Sequence, residues 1–283
     1  MSTWYISPAG NDTTGTGTSL LPWATISKAH TSAASGDTII CKASATAYTW
    51  ANQTFTKSLT IRGESVPVYN GLTKAWTGAI FDAGNSSVLW GAASNLTVVM
   101  SLSRLIFRNG FGGLSYDQGP FSFHTFTFER NVMYDIQWQS LISCSLIAFA
   151  TNRTIIIRNS LFYGQKTGSA ATAALIACWN TGGAGSVTIQ NCGLYGDTIG
   201  LISANKSIPL TVKNNIFVNT GSSVGLVIQS GSTVYENNIA YGAWTYVPSG
   251  SNNLTSNPLL VDPVNGDFRL RPGSPAINVG VAI

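Results

Sequence analysis

Eleven of the 283 residues are acidic, and few of them come close together in the chain. The densest group is Asp117, Glu129 and Asp135, with His124 and Arg130 nearby. Carboxylates and an imidazole are the side chains that move protons near neutral pH, so acid–base chemistry is the first possibility to weigh. Asp117 and His124 fall in one loop-like stretch, Gly112–His124, GGLSYDQGPFSFH. Loops held on a rigid scaffold are where functional groups gather, so these two are the candidate catalytic residues. An isolated Asp and His within one loop are also common turn residues, and the pairing alone does not define a reaction. Aromatic side chains give a second candidate. Tyr116, Trp138 and Trp179, together with Phe121 and Phe123, are placed by the spacing in loops of adjacent chain segments. In a line they can stack on sugar rings, pack against a second subunit, or fold their own loops down.

The elements that must position these groups are visible as a repeat. Leu210–Val218 reads LTVKNNIFV, and Val187–Tyr195 (VTIQNCGLY), Ile155–Tyr163 (IIIRNSLFY), Thr233–Tyr241 (TVYENNIAY), Phe126–Tyr134 (FTFERNVMY) and Leu105–Gly113 (LIFRNGFGG) follow the same form. The reference positions Asn109, Arg130, Asn159, Asn191, Asn214 and Asn237 are 21, 29, 32, 23 and 23 residues apart. A strand-like unit of this length that turns at Asn is one rung of a stacked coil. A second apolar phrase precedes the Asn in most rungs, at Leu114, Leu141, Leu175, Leu201 and Leu226, so each rung carries at least two strands. Within LTVKNN, Leu210 and Val212 face inward and Thr211 and Lys213 outward. The Asn column then lies at a corner, where its side chains are expected to form a ladder. The fold class is all-β, a right-handed parallel β-helix with a short capping helix over 25–34.

This geometry reinterprets Glu129. The residues before the reference positions are Arg108, Glu129, Arg158, Gln190, Lys213 and Glu236. Stacked rungs place them in one outer column, with Glu129 between two arginines and Glu236 beside Lys213, which is an ion-pair ladder. Asp135 lies past the corner and does not face the same way. Cys144 and Cys178 fall at the same place in successive rungs, as stacked thiols or a disulfide. No CxxC or Cys/His spacing suggests a metal, and neither metal nor cofactor is implied.

Composition is consistent with a solenoid whose outer faces are small and polar. Only 9% of residues are charged, and 29 are Gly. A net charge of +4 without a basic run implies no nucleic-acid partner. No stretch of about 18 apolar residues is present, so no membrane-spanning helix is expected. The opening residues Met1-Ser2-Thr3-Trp4-Tyr5 have neither the basic nor the apolar region of a signal peptide.

Several motifs carry a family resemblance. Tyr5–Asp12 (YISPAGND), Pro22–Ile26 (PWATI) and Gly36–Ile39 (GDTI) resemble the N-terminal signature of right-handed parallel β-helix proteins of the pectate-lyase-like superfamily. Ser58–Gly63, Ile80–Gly84, Asn257–Leu270 and Gly273–Asn278 resemble that family's first rungs and closing segment. The resemblance implies one β-helix domain over 1–283, with a cap at 1–40, rungs at 41–243 and a closing segment at 244–283. It implies turn roles for Asp12, Asp37, Asp262 and Asp267. Enzymes of the superfamily hold Ca²⁺ in carboxylate clusters, or use paired carboxylates, and this chain has no evident counterpart. The expectation is therefore a non-enzymatic structural protein of a phage virion, as capsid decoration or a small spike, or of another surface assembly. It would be made in the cytoplasm, act on a virion or extracellular surface, and self-associate, as a trimer by resemblance to phage β-helices. The alternatives are a polysaccharide lyase or glycosidase with its groove along 112–180, and a glycan-binding module.

Overall fold

The computed structural model describes residues 1–87, 90–92, 98–111, 124–136, 142–146, 153–164, 176–180, 185–196, 202–205, 209–219, 227–229, 233–242 and 249–281. The chain is an all-β, right-handed parallel β-helix. Each full rung supplies three strands, one to each of three sheets, in keeping with the expectation of at least two. Among the described residues, sheet A has nine strands, from Thr3–Ile6, Thr38–Cys41, Leu59–Gly63 and Val99–Ser103 to Thr233–Glu236. Sheet B has eight, from Tyr48–Thr49 to Ile239–Gly242. Sheet C has, among the described residues, four in one run: Ile142–Leu146, Ile176–Asn180, Ile202–Asn205 and Val227–Gln229. The described pairings within these sheets are parallel, as in Phe126↔Ile155↔Val187↔Leu210, and the register shifts between Arg108 and Gly110 where Leu105–Phe111 meets Ala79–Ser87.

Alternation drives the coil. Leu102, Phe128, Ile157, Ile189 and Val212 point into the core from sheet A, and Phe107, Met133, Phe162, Leu194 and Phe217 meet them from sheet B. The parity expected for Leu210–Lys213 holds, since Leu210 and Val212 are buried and Thr211 and Lys213 are not. Aromatic rings continue the stack, with Phe107, Phe128 and Phe162 at centroid spacings of 6.2 and 5.7 Å. Burial of apolar surface, at about 25 cal/mol per Å², drives the coil together along this stack.

The corner between sheets A and B differs from the sequence expectation in two ways. Every reference residue has left-handed backbone, but the Leu105–Gly113 copy is out of register. Leu105–Phe111 is a sheet B strand, and the corner of that rung is Arg104, φ 58°. Asn109, φ 55°, turns the far end of that strand, where Asp135 and Gly164 also have positive φ. Both corners need a residue that tolerates left-handed backbone, so both show the same local signal. The ladder is also displaced by one position. It is formed by the residue after the corner: Asn131, Ser160, Cys192, Asn215, Asn238 and finally Asn253. Asn215 Nδ2 donates to Ile189 O at 3.0 Å, and its Oδ1 accepts from Cys192 N at 2.9 Å. Asn238 repeats this with Val212 O and Asn215 N, and Asn131 with Leu102 O and Leu105 N.

The N-terminal end is closed by the helix Ile26–Ser32, capped by the Thr25 side chain and burying Ile26, Ala29 and His30. Lys57 Nζ donates to the carbonyls of His30, Thr31 and Ala33, which satisfies the open C-terminal turn. The strands expected near the C terminus are present as Leu260–Asp262 and Asp267–Leu270. They pair antiparallel and lie along the flank of the coil, against the outer face of sheet B.

Candidate functional site

The three faces of the coil offer different chemistry. The outer face of sheet B is apolar. Ile80, Ile106, Val132 and Tyr163 form a second core there, packed by Trp76, Tyr134, Leu161, Tyr195 and Phe268. This explains the recurrent Tyr that ends the repeat. Tyr134 and Tyr163 stack face to face at 4.9 Å and 6°, and Trp76 Nε1 donates to Tyr163 Oη at 3.0 Å. Burial pushes the Tyr163 phenol well above its ordinary range. Gly266, φ 89°, passes so close that a Cβ would lie 2.6 Å from the Tyr163 ring.

At the edge of this face Asp82 meets Arg108, Asn109 and Tyr134. Arg108 Nε donates to Asp82 Oδ2 at 2.6 Å, Asn109 Nδ2 reaches both Asp82 oxygens, and Arg108 Nη1 donates to Tyr134 Oη at 3.4 Å. Burial raises the Asp82 pKa, but the Gly84 N–H, Asn109 and Arg108 outweigh it, and the carboxyl titrates below its ordinary value. Arg108 is therefore not in the Glu129 column, as the repeat had implied. It belongs to sheet B.

The outer face of sheet A carries that column, which runs Arg62, Ser103, Glu129, Arg158, Gln190, Lys213, Glu236 by register. Glu129 accepts from Arg158 Nη2 at 2.8 Å and lies 3.7 Å from Arg130 Nε. Glu236 pairs with Lys213 at 3.0 Å. These are the expected ion pairs with one neighbour changed. The column beside it is largely hydroxyl: Thr60, Ser101, Thr127, Ile156, Thr188 and Thr211.

Of the candidate site residues, Asp117, Tyr116 and Trp138 lie outside the described residues, as do Phe121 and Phe123. His124 is half-buried at the start of a sheet A strand, where its N–H donates to Val98 O and its carbonyl accepts from Thr154 N. Its backbone is thus stacked into the coil rather than looped away from it. Trp179 falls in the sheet C strand Ile176–Asn180, opposite Ser145, instead of in a loop. Cys144 and Cys178 are register partners in sheet C, as their spacing implied. Cys41 and Cys192 are buried, and burial pushes the Cys192 thiol up to about 12, so neither thiol is a ready nucleophile.

Four more of the described acids, Asp12, Asp37, Asp262 and Asp267, serve the fold. Asp12 accepts from the N–H groups of Ala24 and Thr25 and from the Thr25 hydroxyl. Asp37 accepts from Ser2 N, Trp4 Nε1 and Ala34 N, which hold its pKa down to about 2. Asp262 pairs with Lys74 at 3.0 Å, and Asp267 with Arg269 at 2.6 Å. Among the described residues, no three His, Cys, Asp or Glu side chains converge as a metal site would require. Among them also, no helix is long and apolar enough to cross a membrane.

No family model matches the sequence, and no curated protein matches it. Solved structures do. A pectate lyase, Pel9A, is 15% identical with a TM-score of 0.44, covering 100% of this chain and 92% of its own. A rhamnogalacturonan lyase is 14% identical with a TM-score of 0.37, covering 85% of this chain and 68% of its own. XylC in complex with xylose is 12% identical with a TM-score of 0.42, covering 88% of this chain and 67% of its own. No activity is carried over from these neighbours.

Proposed function

We propose that this chain is a non-enzymatic structural β-helix, a rigid component of a phage virion or another surface assembly that associates with copies of itself. The observation that carries this reading is the use made of its carboxylates. Asp12, Asp37, Asp82, Glu129, Glu236, Asp262 and Asp267 are each engaged by a backbone amide, a cation or both, at turns, corners and strand faces. Groups that serve as structural acceptors are poorly placed to shuttle protons. The internal ladder, the capped N-terminal end and the strapped flank favour rigidity, which an assembly component needs. The partly exposed, hydroxyl-rich face of sheet A offers a flat surface on which copies can meet.

The test is twofold. The full chain is incubated with a panel of acidic and neutral polysaccharides while unsaturated-sugar absorbance and reducing ends are followed. It is also weighed by mass photometry. The reading expects no turnover and a discrete oligomer. Robust turnover that Asp117→Ala abolishes would replace it with the polysaccharide lyase or glycosidase reading, and a strict monomer would remove self-association.

A further inference from the structure

We propose that the corner between sheets A and B carries a binding site for the phosphate groups of a non-nucleic polyanion, built on Arg104 and Arg130 with Arg62 and Arg158 beside them. Six successive rungs turn this corner through one left-handed residue: Arg104, Arg130, Asn159, Asn191, Asn214 and Asn237, with φ between 52° and 58°. Asn suits the position because its short side chain bonds locally and tolerates that backbone. Arg has neither advantage, yet two consecutive rungs carry it. Strained backbone of this kind, observed first, is a pointer to a site.

The two arginines stand on neighbouring rungs. Arg104 N donates to Glu129 O and Arg130 N to Arg158 O, so stacking sets their backbones about 4.8 Å apart. One residue earlier, the outer column contributes Arg62 and Arg158. Two acids are close. Glu129 is held by Arg158 and approached by Arg130, and the exposed Glu64 follows Arg62 by two positions. Four guanidiniums against these two carboxylates leave the corner positive by two. The side chains of Arg62 and Arg104 have no ion-pair or hydrogen-bond partner among the described residues.

The ligand class follows from these donors. Arg presents its N–H groups as a planar fork that engages oxyanions two oxygens at a time. A carboxylate satisfies one fork, and Glu129 already fills that role at Arg158. A phosphate has oxygens enough for forks on two rungs together, and Ser101, Ser103 and Thr127 offer hydroxyl donors on the adjoining face. Proteins that hold single-stranded nucleic acid set aromatic rings among their cations. Among the described residues, the outer neighbours of the arginines include Ser103, Thr127, Glu129, Asn159 and Gln190 and no aromatic ring, which favours a phosphorylated polymer without bases.

The experiment compares the intact chain with an Arg104→Asn/Arg130→Asn variant. That variant places at both rungs the residue that four other rungs already use, so it retains the fold, and a thermal melt at or above wild type verifies this. Binding of labelled protein to sodium polyphosphate is measured across a salt series, with polygalacturonate and duplex DNA as comparators. The expected result is salt-dependent binding to polyphosphate, weaker by about tenfold or more in the variant and with a shallower salt slope. Affinity in the variant within about twofold of wild type would overturn the site. Equal or tighter binding of wild type to polygalacturonate would overturn the phosphate assignment, and equal or tighter binding to DNA would overturn the exclusion of nucleic acid.

Discussion

Single side chains at the corners carry much of what keeps the rungs in register. Asn215 uses its amide N–H on Ile189 O and Asn238 Oδ1, and its carbonyl on Cys192 N, all in a buried position. Asn215→Ala strands a buried N–H and a buried carbonyl, so it should cost about 1–3 kcal/mol in urea unfolding. Asn214→Gly, one residue away, keeps the left-handed backbone accessible and loses the contact to the C-terminal tail but no ladder bond, and should cost less by the same measurement. Asp37 provides a pH signature. Its folded pKa of about 2 lies below the ordinary carboxylate value, so the unfolded chain takes up that proton first. The stability it contributes is present above about pH 4 and is lost as pH falls toward 2. Thermal melts should show that loss in wild type and a flatter acid limb in Asp37→Asn.

Among the elements, the capping helix is the most exposed to titration. It has only seven residues, too few to be stable alone, so it depends on Thr25 at one end and Lys57 at the other. His30, on the helix's own buried face, accepts from Thr56 N at 3.1 Å and packs edge-on against Phe55. Burial, and then the Lys57 charge, lower its pKa. A lowered histidine pKa means that stability falls as pH drops below about 6.5, where the unfolded chain protonates and the folded chain resists. The protection factors of residues 26–33 against hydrogen exchange, corrected for the intrinsic pH dependence of the rate, should fall between pH 6.5 and 5 in wild type, and this fall should be smaller in His30→Gln.

Across the whole molecule, the C-terminal hairpin ties early rungs to later ones. Lys74 pairs with Asp262, Trp76 bonds Tyr163, and Phe268 packs on Tyr163 at 6.0 Å. These contacts join strands far apart in sequence, so removing them should loosen the flank as a unit. Phe268→Ala is expected to lower unfolding stability by roughly 1–3 kcal/mol. Truncation before Asn257 would uncover the apolar face of sheet B, which should register as increased binding of a hydrophobic dye and as protease cleavage within 66–77.

Much of this was legible in order along the chain. Apolar alternation set the inward and outward faces, the recurrent turn residues marked the corners, and Lys213–Glu236 followed from stacking alone. These are local properties, because period-two alternation and tolerance of left-handed backbone are written residue by residue. The register of Leu105–Gly113 was not legible. Both corners demand the same residue types, and only the pairing of strands shows that Arg104, not Asn109, belongs with Arg130. The ladder likewise moved one position on, since which of two adjacent polar residues points inward depends on where the chain bends. Nor could the repeat show why its phrase ends in Tyr, because the hairpin that covers that face arrives from the far end of the sequence. Local backbone preference thus dictated the rungs, and long-range packing determined how they align and which face is covered.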